Sequence, residues 1–249
     1  MRKIFKVLLL LVAGLLVGFI GFQAIMFIRI GRLRTETPVT TSLIETRAKE
    51  ARSQGQEPMR QQLWVSIDRI SPNLQRAVLA GEDTNFVTHH GFDYGALQKV
   101  WDQGMREAAK EAKKEGENDD WPNLPDFKRG ASTITQQLAK NLYLSSQKSF
   151  FRKGEEAILT IMLERELNKR RILELYLNVI EWGDGIYGAE AAAEHYFHKP
   201  ASALSANEAA FLSAMIPNPR TVFNPQVNPR RVARRQRIIL RGMPYIRLP

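Results

Sequence analysis

The pattern of apolar and polar residues predicts one long apolar helix at the start of the chain and a mainly helical body after it. Residues 7–28 carry no charge, and Gln23 is their only strongly polar member. Further along, apolar residues recur at helical spacing between capping residues and prolines. Helices are predicted over residues 72–82, 94–114, 133–143, 150–168, 170–178, 188–198, 205–216 and 229–241. The one strand indicated is short, over residues 63–70, so the predicted fold class is mainly α.

The apolar run from Val7 to Ile28 predicts a transmembrane helix. About 20 apolar residues are needed to cross the hydrocarbon core of a bilayer, and this run has 22. A cleaved signal peptide has an apolar region of about 7–15 residues that ends in small residues, whereas this run leads into Arg29. We therefore expect an uncleaved signal anchor. Both flanks carry three positive charges, so the orientation depends on the usual translocation of a large C-terminal domain, which places the body outside the cytoplasm.

Composition limits the chemistry that the chain can perform. None of the 249 residues is Cys, which excludes disulfide scaffolds, thiolate zinc sites and cysteine nucleophiles. The net charge of +10 points at first to a nucleic-acid partner, but its distribution argues against one. Residues 1–34 carry +6 and residues 220–249 carry +8, which leaves 22 basic and 26 acidic residues in between. A domain that binds a duplex is expected to carry its own basic face, so we expect no nucleic-acid partner.

These patterns divide the chain into three parts. Residues 1–34 are a membrane anchor with basic flanks, residues 35–60 a polar juxtamembrane linker or short helix, and residues 61–249 one domain that ends in a basic helix. Four arginines share one face of that helix: Arg230, Arg234, Arg237 and Arg241. Such a helix either contacts anionic lipid headgroups or packs on the body through its apolar residues, with its arginines in solvent.

Two polar clusters are candidates for chemistry. Glu82 and Asp83 follow an apolar turn, so a carboxylate there could be partly buried and have a raised pKa; the alternative is an ordinary helix end with a polar turn. The second cluster begins near Ser132 and Thr133, where the free N–H groups of a helix N-terminus offer an anion site. Its basic residues either converge on a phosphate-rich ligand or form a solvated charged face: Lys140, Lys148, Arg152 and Lys153.

Five segments, in order, resemble the motifs of the peptidoglycan glycosyltransferase family. The first two are Glu82-Asp83-x-x-Phe86-x-x-His89-x-Gly91-x-Asp93 and Gly130-Ala-Ser-Thr-Ile-Thr-Gln-Gln137. The others are Arg152-Lys153-x-x-Glu156, Arg171-Ile-Leu-Glu-Leu-Tyr-Leu-Asn178 and Gly188-Ala-Glu-Ala-Ala-Ala-x-x-Tyr196-Phe197. The resemblance implies a lysozyme-like α-helical fold and a monofunctional glycosyltransferase without a transpeptidase domain. It also implies a single-pass inner-membrane protein whose domain lies in the periplasm and polymerises lipid II.

The resemblance further implies roles for individual residues. Glu82 corresponds to the general base, which takes the proton from the 4-hydroxyl of the lipid II GlcNAc as the growing chain leaves undecaprenyl diphosphate with inversion. Glu156 corresponds to a second essential carboxylate, which orients cations or holds a divalent metal such as Mg²⁺ or Mn²⁺. The diphosphate-binding positions are Lys140, Lys148 and Lys153, and the supporting residues are Asp83, Phe86, His89, Ser132, Thr133, Gln136, Gln137 and Arg152. Expected partners are lipid II, the growing glycan chain, the inner membrane and other cell-wall synthesis or division proteins.

The sequence departs from the family pattern in three places. Lys148 stands where arginine is usual, which keeps the charge but loses bidentate contact with phosphate. His198 replaces a usual glycine, and the stretch 94–129 is longer than typical and ends in an acidic loop. Two other functions remain open on the residues alone. A lysozyme-type hydrolase would also use an essential glutamate, and a membrane-anchored scaffold would need neither Glu82 nor Glu156.

Overall fold

The computed structural model describes residues 2–115, 132–145 and 149–249, and these residues form a mainly helical body behind one long apolar helix. The fold class is therefore as the sequence predicted. The ten α-helices of this described part are α1 (Arg2–Arg32), α2 (Ser42–Ser53), α3 (Pro72–Glu82), α4 (Tyr94–Glu115), α5 (Ile134–Tyr143), α6 (Phe150–Glu166), α7 (Lys169–Val179), α8 (Ala189–Phe197), α9 (Ala206–Met215) and α10 (Pro229–Gly242). Its strands are β1 (Gln61–Gln62), β2 (Glu181–Gly183) and β3 (Ile186–Tyr187).

Capping residues start several helices at the predicted positions. The Ser71 hydroxyl accepts from the Asn73 N–H, and Pro72 occupies the first position of α3, where its missing N–H costs no hydrogen bond. Thr133 caps α5 in a reciprocal box with Gln136, in which each side chain accepts from the other residue's backbone N–H. Ser205 and Glu208 form the same box at α9. These helix starts are therefore encoded locally.

The strand predicted over residues 63–70 is wrong. The Asn178 side chain accepts from the Val65 N–H at 3.0 Å and donates to the Val65 carbonyl at 2.9 Å, so a side chain takes the place of a strand partner. Residues 67–69 form a 3₁₀ helix instead. The small sheet has the order β1-β3-β2, with β1 parallel and β2 antiparallel to β3.

Replacing Asn178 with leucine is expected to lower the free energy of unfolding by about 3 kcal/mol, because two buried backbone groups of Val65 lose their partner. Asn178 is fully buried, and its amide also donates to the Glu174 carbonyl at 2.8 Å. Denaturant unfolding in detergent measures the change. Asn207→Ala is the control, since Asn207 is an exposed asparagine on α9; an equal effect of both substitutions would contradict the explanation.

Helix packing sets which parts of α3 and α5 remain at the surface. The helix α3 packs against α9 and α10, while α5 packs against α2, α6 and α7. Leu74 and Val78 of α3, and Leu138 of α5, are completely buried. Because the apolar faces of α3 and α5 point into the core, the polar C-terminus of α3 and one polar face of α5 remain at the surface of the body.

The helix α1 is long and apolar enough to span a membrane, as length and composition show. Its last turns belong to the body: Met26 and Ile30 are buried in the core, and Arg34, just beyond the helix, pairs with Glu166 of α6 at 2.8 Å. Cleavage after Ile28 would remove Met26 from this core and leave Ile30 and Arg34 with the body. The helix α2 lies within the segment 35–60 and packs against α5.

Two of the positions that depart from the family pattern can be compared with the structure, His198 and part of the stretch 94–129. His198 ends α8 in the left-handed conformation, with φ 54° and ψ 42°. Glycine adopts that conformation without steric cost, which explains why glycine suits this position. In the long stretch, α4 is present as predicted and Asp93 accepts from the Ala96 N–H at 2.9 Å. The acidic loop that follows lies outside the described residues.

Candidate active site

Glu82 is the last residue of α3 and lies among donors from two other helices. Its side chain is 9% exposed. The Arg235 Nη2 of α10 lies 2.6 Å from Glu82 Oε1, and the Gln137 Nε2 of α5 donates to Oε2 at 2.9 Å. Each carboxylate oxygen retains a further lone pair. Glu82 can therefore accept a proton from a substrate hydroxyl while it remains bound to the protein.

A buried tyrosine orients the amide that contacts Glu82. The hydroxyl of Tyr176, which is completely buried on α7, donates to Gln137 Oε1 at 2.8 Å. The Gln137 carbonyl oxygen therefore faces Tyr176, and its amide nitrogen faces Glu82. Burial raises the pKa of Tyr176 well above its usual value, so its hydroxyl remains protonated as the donor.

Burial also raises the pKa of Glu82, because the charged form loses hydration. Arg235, the hydrogen bond from Gln137 and the charge of Lys140 oppose that rise. A carboxylate with a raised pKa has a higher affinity for a proton, which a general base needs. The environment of Glu82 thus combines burial with cations in the way that a general base requires.

Sequence reasoning missed Arg235. The prediction for the last helix placed four arginines on one face, and those four are exposed in the structure. The helix packs on the body through Val232 and Ile239, which are buried. Packing against α3 turns Arg235 inward, where its guanidinium also donates to the Gly81 carbonyl at 2.9 Å. No signal in the local sequence distinguishes this arginine from its neighbours.

Arg235→Gln is expected to shift the acidic limb of the activity profile to higher pH. Glu82 must be deprotonated to act as a base, and its pKa is already raised by burial. Removing the adjacent cation raises that pKa further, so activity is lost at a higher pH as the pH falls. The pH dependence of kcat/KM measures the shift. Arg231→Gln is a matched control, because Arg231 also lies over the Phe223 ring but makes no contact with Glu82; an equal shift in that variant would contradict the prediction.

Asp83 ties the first motif to the start of α5. Its buried carboxylate accepts from the Ile134 N–H at 2.9 Å and from His89 Nε2 at 2.9 Å. The Gly91 N–H donates to His89 Nδ1 at 3.1 Å, so the histidine carries its hydrogen on Nε2. The Thr133 hydroxyl donates to the Gly91 carbonyl at 2.7 Å. These bonds place Asp83 and His89 in the frame of the site, beside Glu82.

The remaining supporting residues lie at the same junction. Phe86 is buried, with the Lys169 ammonium 4.5 Å from its ring centroid and the His89 ring edge-on to it. Gln136 completes the cap of α5, whereas Ser132 is exposed at the rim of a cavity beside Glu82. Phe86 and Gln136 therefore support the frame, and Ser132 is accessible to a ligand.

A second charged centre surrounds Glu156 of α6. The Glu156 side chain is 4% exposed; Arg152 Nη1 lies 3.0 Å from its Oε2, and the Lys153 ammonium contacts its Oε1. Lys140 of α5 interacts with the charges of this centre. Although Lys140 reaches solvent, desolvation lowers the pKa of its amine, Glu156 opposes that shift, and Arg152 and Lys153 add to it. Lys148, the third predicted diphosphate-binding residue, lies outside the described residues.

The surroundings of Glu156 favour an orienting role over metal binding. Both of its oxygens face cations, and no group of three or more His, Asp or Glu side chains suited to a metal occurs among the described residues. The residues present there do not fit Mg²⁺ or Mn²⁺, so the chemistry below contains no step through a metal. A divalent-cation requirement stays a prediction.

Three cavities are lined by residues of this region. One is lined by Gly81, Glu82, Asp83, Ser132 and Thr133. Another is lined by Gln137, Lys140 and Tyr176 together with residues of α2 and of the segments after α7 and α9. A third continues past Lys140 to Arg152. The face of α5 that carries Gln137 and Lys140 thus connects the buried glutamate to the cation centre.

Comparison with known proteins shows relatives over most of the chain. A family model described as transglycosylase matches residues 49–244. A protein of Laribacter hongkongensis named biosynthetic peptidoglycan transglycosylase is 43% identical over 239 residues, which is 96% of either chain. Proteins with the same name from Chromobacterium violaceum and Nitrosomonas eutropha are 41% and 40% identical, over 100% and 97% of this chain and 99% and 90% of their own length.

Proposed function

The chain belongs to the transglycosylase family, as a peptidoglycan transglycosylase of cell-wall synthesis, and on this premise we propose that it joins lipid II units into a glycan strand. The matched region occupies residues 49–244, so these 249 residues hold one catalytic domain and no transpeptidase domain. The growing chain is transferred from undecaprenyl diphosphate to the 4-hydroxyl of the lipid II GlcNAc, with inversion to a β-1,4 bond.

The placement of the buried Glu82 in the wall of one cavity, in contact with Gln137 in the wall of another, carries this proposal. Glu82 accepts the proton of the 4-hydroxyl as that oxygen attacks the anomeric carbon of the donor. The bond between this carbon and the diphosphate oxygen breaks, and its electron pair leaves with the diphosphate. The acceptor occupies the cavity beside Ser132 and Thr133, and the donor diphosphate lies on the side of Lys140 and Arg152.

The cation centre stabilises the leaving group. Negative charge develops on the diphosphate in the transition state, and fixed cations placed in advance stabilise it without reorganisation. Glu156 holds Arg152 and Lys153 in position, and Lys140 faces the same centre from α5. We assign Lys148 the same role, because it stands at a diphosphate-binding position of the family motif.

Membrane anchoring serves the same reaction. We assign α1 to the inner membrane and the body to the periplasm, where a lipid-linked substrate is within reach. The exposed arginines of α10 suit anionic headgroups, whereas Arg220 and Arg235 are engaged with carboxylates of the body. Other cell-wall synthesis or division proteins stay predicted partners.

Incubation of the purified full-length protein with labelled lipid II tests the proposal. We expect long glycan strands that lysozyme digests. Absence of polymer would contradict the transferase, and shortening of added strands would favour a lysozyme-type hydrolase. If the protein neither forms polymer nor shortens added strands, the result would favour a non-catalytic scaffold.

A further inference from the structure

The residues that follow α1 are held by Arg171, an arginine of the fourth sequence motif to which the proposed reaction assigns no role. Arg171 of α7 donates from Nε to the Leu33 carbonyl at 2.8 Å and from Nη2 to the Glu36 carbonyl at 2.7 Å. Its Nη1 pairs with Glu174, and its guanidinium carbon lies 5.8 Å from the centroid of the Trp64 ring. The Arg171 side chain is only 16% exposed. One largely buried arginine therefore joins the end of the anchor to α7.

Further contacts make the end of α1 continuous with the body. Arg34 donates from Nε to the Glu166 carbonyl at 2.9 Å and pairs with the Glu166 carboxylate at 2.8 Å. Ile30 and Leu33 are buried in the core. Two cations, Arg34 and Arg171, thus lie at the C-terminal end of α1, where the helix dipole favours positive charge. Because α1 is fixed in this way, its direction sets the orientation of the body relative to a bilayer.

The exposure of α1 locates the edge of the bilayer along the helix. Residues 4–22 are all exposed, and at 1.5 Å per residue these 19 residues span about 28 Å, close to the hydrocarbon core of about 30 Å. Gln23, the next residue, is partly buried, and Met26 is buried. On the proposed assignment of α1 to the membrane, the hydrocarbon core therefore ends near Gln23, where the body begins.

The helix α6 lies beside this edge. A cavity of about 710 Å³ is lined by Phe22 and Gln23 of α1 and by Phe151 and Gly154 of α6. The Phe151 side chain is 94% exposed, which suits contact with lipid. The cation centre around Glu156 belongs to the same stretch of α6. It therefore lies at the level of the bilayer surface, where the diphosphate of a lipid-linked substrate is found.

We propose that Arg171 is a positioning residue, which fixes α1 relative to the body so that the cation centre stays at the bilayer surface and meets the diphosphate of a membrane-embedded substrate. The inference rests on the proposed function and deepens it, because it gives the fourth motif a role in substrate access. A rotation of the body about the end of α1 would move the cation centre away from that surface. Misplacement by about 1 Å at a reacting centre can cost about 10²-fold in rate.

A distance measurement in phospholipid vesicles tests whether Arg171 fixes the anchor. The chain contains no Cys, so Leu16→Cys on α1 and Asn207→Cys on α9, both at exposed positions, attach two spin labels specifically. Double electron–electron resonance on the full-length protein then reports the spread of distances between anchor and body. We expect a narrow distribution for wild-type Arg171 and a broad one for Arg171→Gln. Arg170→Gln is the matched control with a narrow distribution, because the adjacent Arg170 is 48% exposed and pairs with Asp68 of the body.

Polymerisation in two media tests the consequence for the substrate. A bilayer fixes the plane in which lipid II lies, whereas a detergent micelle adapts its shape to the protein. We expect Arg171→Gln to lower kcat/KM for labelled lipid II about tenfold in vesicles, within the cost of misplacing a reacting group, and to leave kcat/KM in detergent unchanged. Arg170→Gln should match the wild type in both media.

Each outcome decides for or against this role of Arg171. An unchanged distance distribution, or equal losses in vesicles and in detergent, would overturn it, because a purely structural role lowers activity in both media. If circular dichroism shows that Arg171→Gln does not fold, Arg34→Gln decides by the same criteria, since Arg34 binds the same end of α1 to Glu166. A wild type that forms no polymer in either medium would contradict the proposed function, and the distance measurement would still decide whether Arg171 fixes the anchor.

Discussion

Glu82→Gln is expected to lower the rate of glycan polymerisation by about 10²–10⁴-fold, the usual contribution of a general base. Glutamine has the same shape but takes up no proton at neutral pH. The fold should survive, because the hydrogen bonds around residue 82 can reverse. The new amide can donate to Gln137 Oε1, and Gln137 can turn its own NH₂ towards the Tyr176 hydroxyl, which both donates and accepts.

Initial rates with labelled lipid II measure this effect, with thermal unfolding as the test of folding. Glu190→Gln is the matched control. Glu190 is also a buried glutamate, but its carboxylate accepts from the Ala201 N–H at 2.8 Å in the structural core around α8. The control should polymerise at the wild-type rate per folded molecule. A wild-type rate in Glu82→Gln would exclude Glu82 as the base.

Glu156→Gln is expected to lower kcat by about 10²–10³-fold, the range found when one preorganised electrostatic group is removed from an active site. The wild-type carboxylate holds Arg152 and Lys153, and Lys153 is 52% exposed, so nothing else restrains it as firmly. A neutral amide leaves both cations free to reorient. Because the diphosphate gains its charge in the transition state, kcat should fall more than KM rises.

The adjacent residue supplies the control for this prediction. Glu155 lies on α6 next to Glu156, is half-buried and lines an apolar cavity beside α1. Glu155→Gln removes the same charge from the same helix without touching the cation centre. Steady-state kinetics on both variants separate the two positions. Equal losses of kcat would show that net charge on α6, and not the orientation of Arg152 and Lys153, sets the rate.

Much of the site could be predicted because its motifs are local. The segment from Glu82 to Asp93 is one turn and its flanks, and Asp83, His89 and Gly91 bond with one another there. The start of α5 is encoded in the same way by Thr133 and Gln136. In contrast, the prediction of a short strand over residues 63–70 was wrong. The backbone of Val65 pairs with the side chain of Asn178, which lies 113 positions away in the sequence.

The partners of Glu82 could not be predicted from local sequence patterns. Arg235 lies 153 positions and Gln137 lies 55 positions away from it, and Tyr176 reaches it only through Gln137. The sequence predicted that the four arginines on one face of α10 point towards lipid headgroups or solvent, and all four are exposed. Arg235 faces inward because Val232 and Ile239 fix the rotation of α10 against the body.

By itself, the sequence determined the apolar anchor, the helical body, the helix starts and the acidic and basic residues available for chemistry. Those features depend on composition and on hydrogen bonds between residues a few positions apart. The tertiary structure alone decided that Arg235 and Gln137 enclose Glu82 and that Glu156 aligns two cations. These contacts depend on how the helices pack against one another, because burial of their apolar faces sets which polar side chains meet.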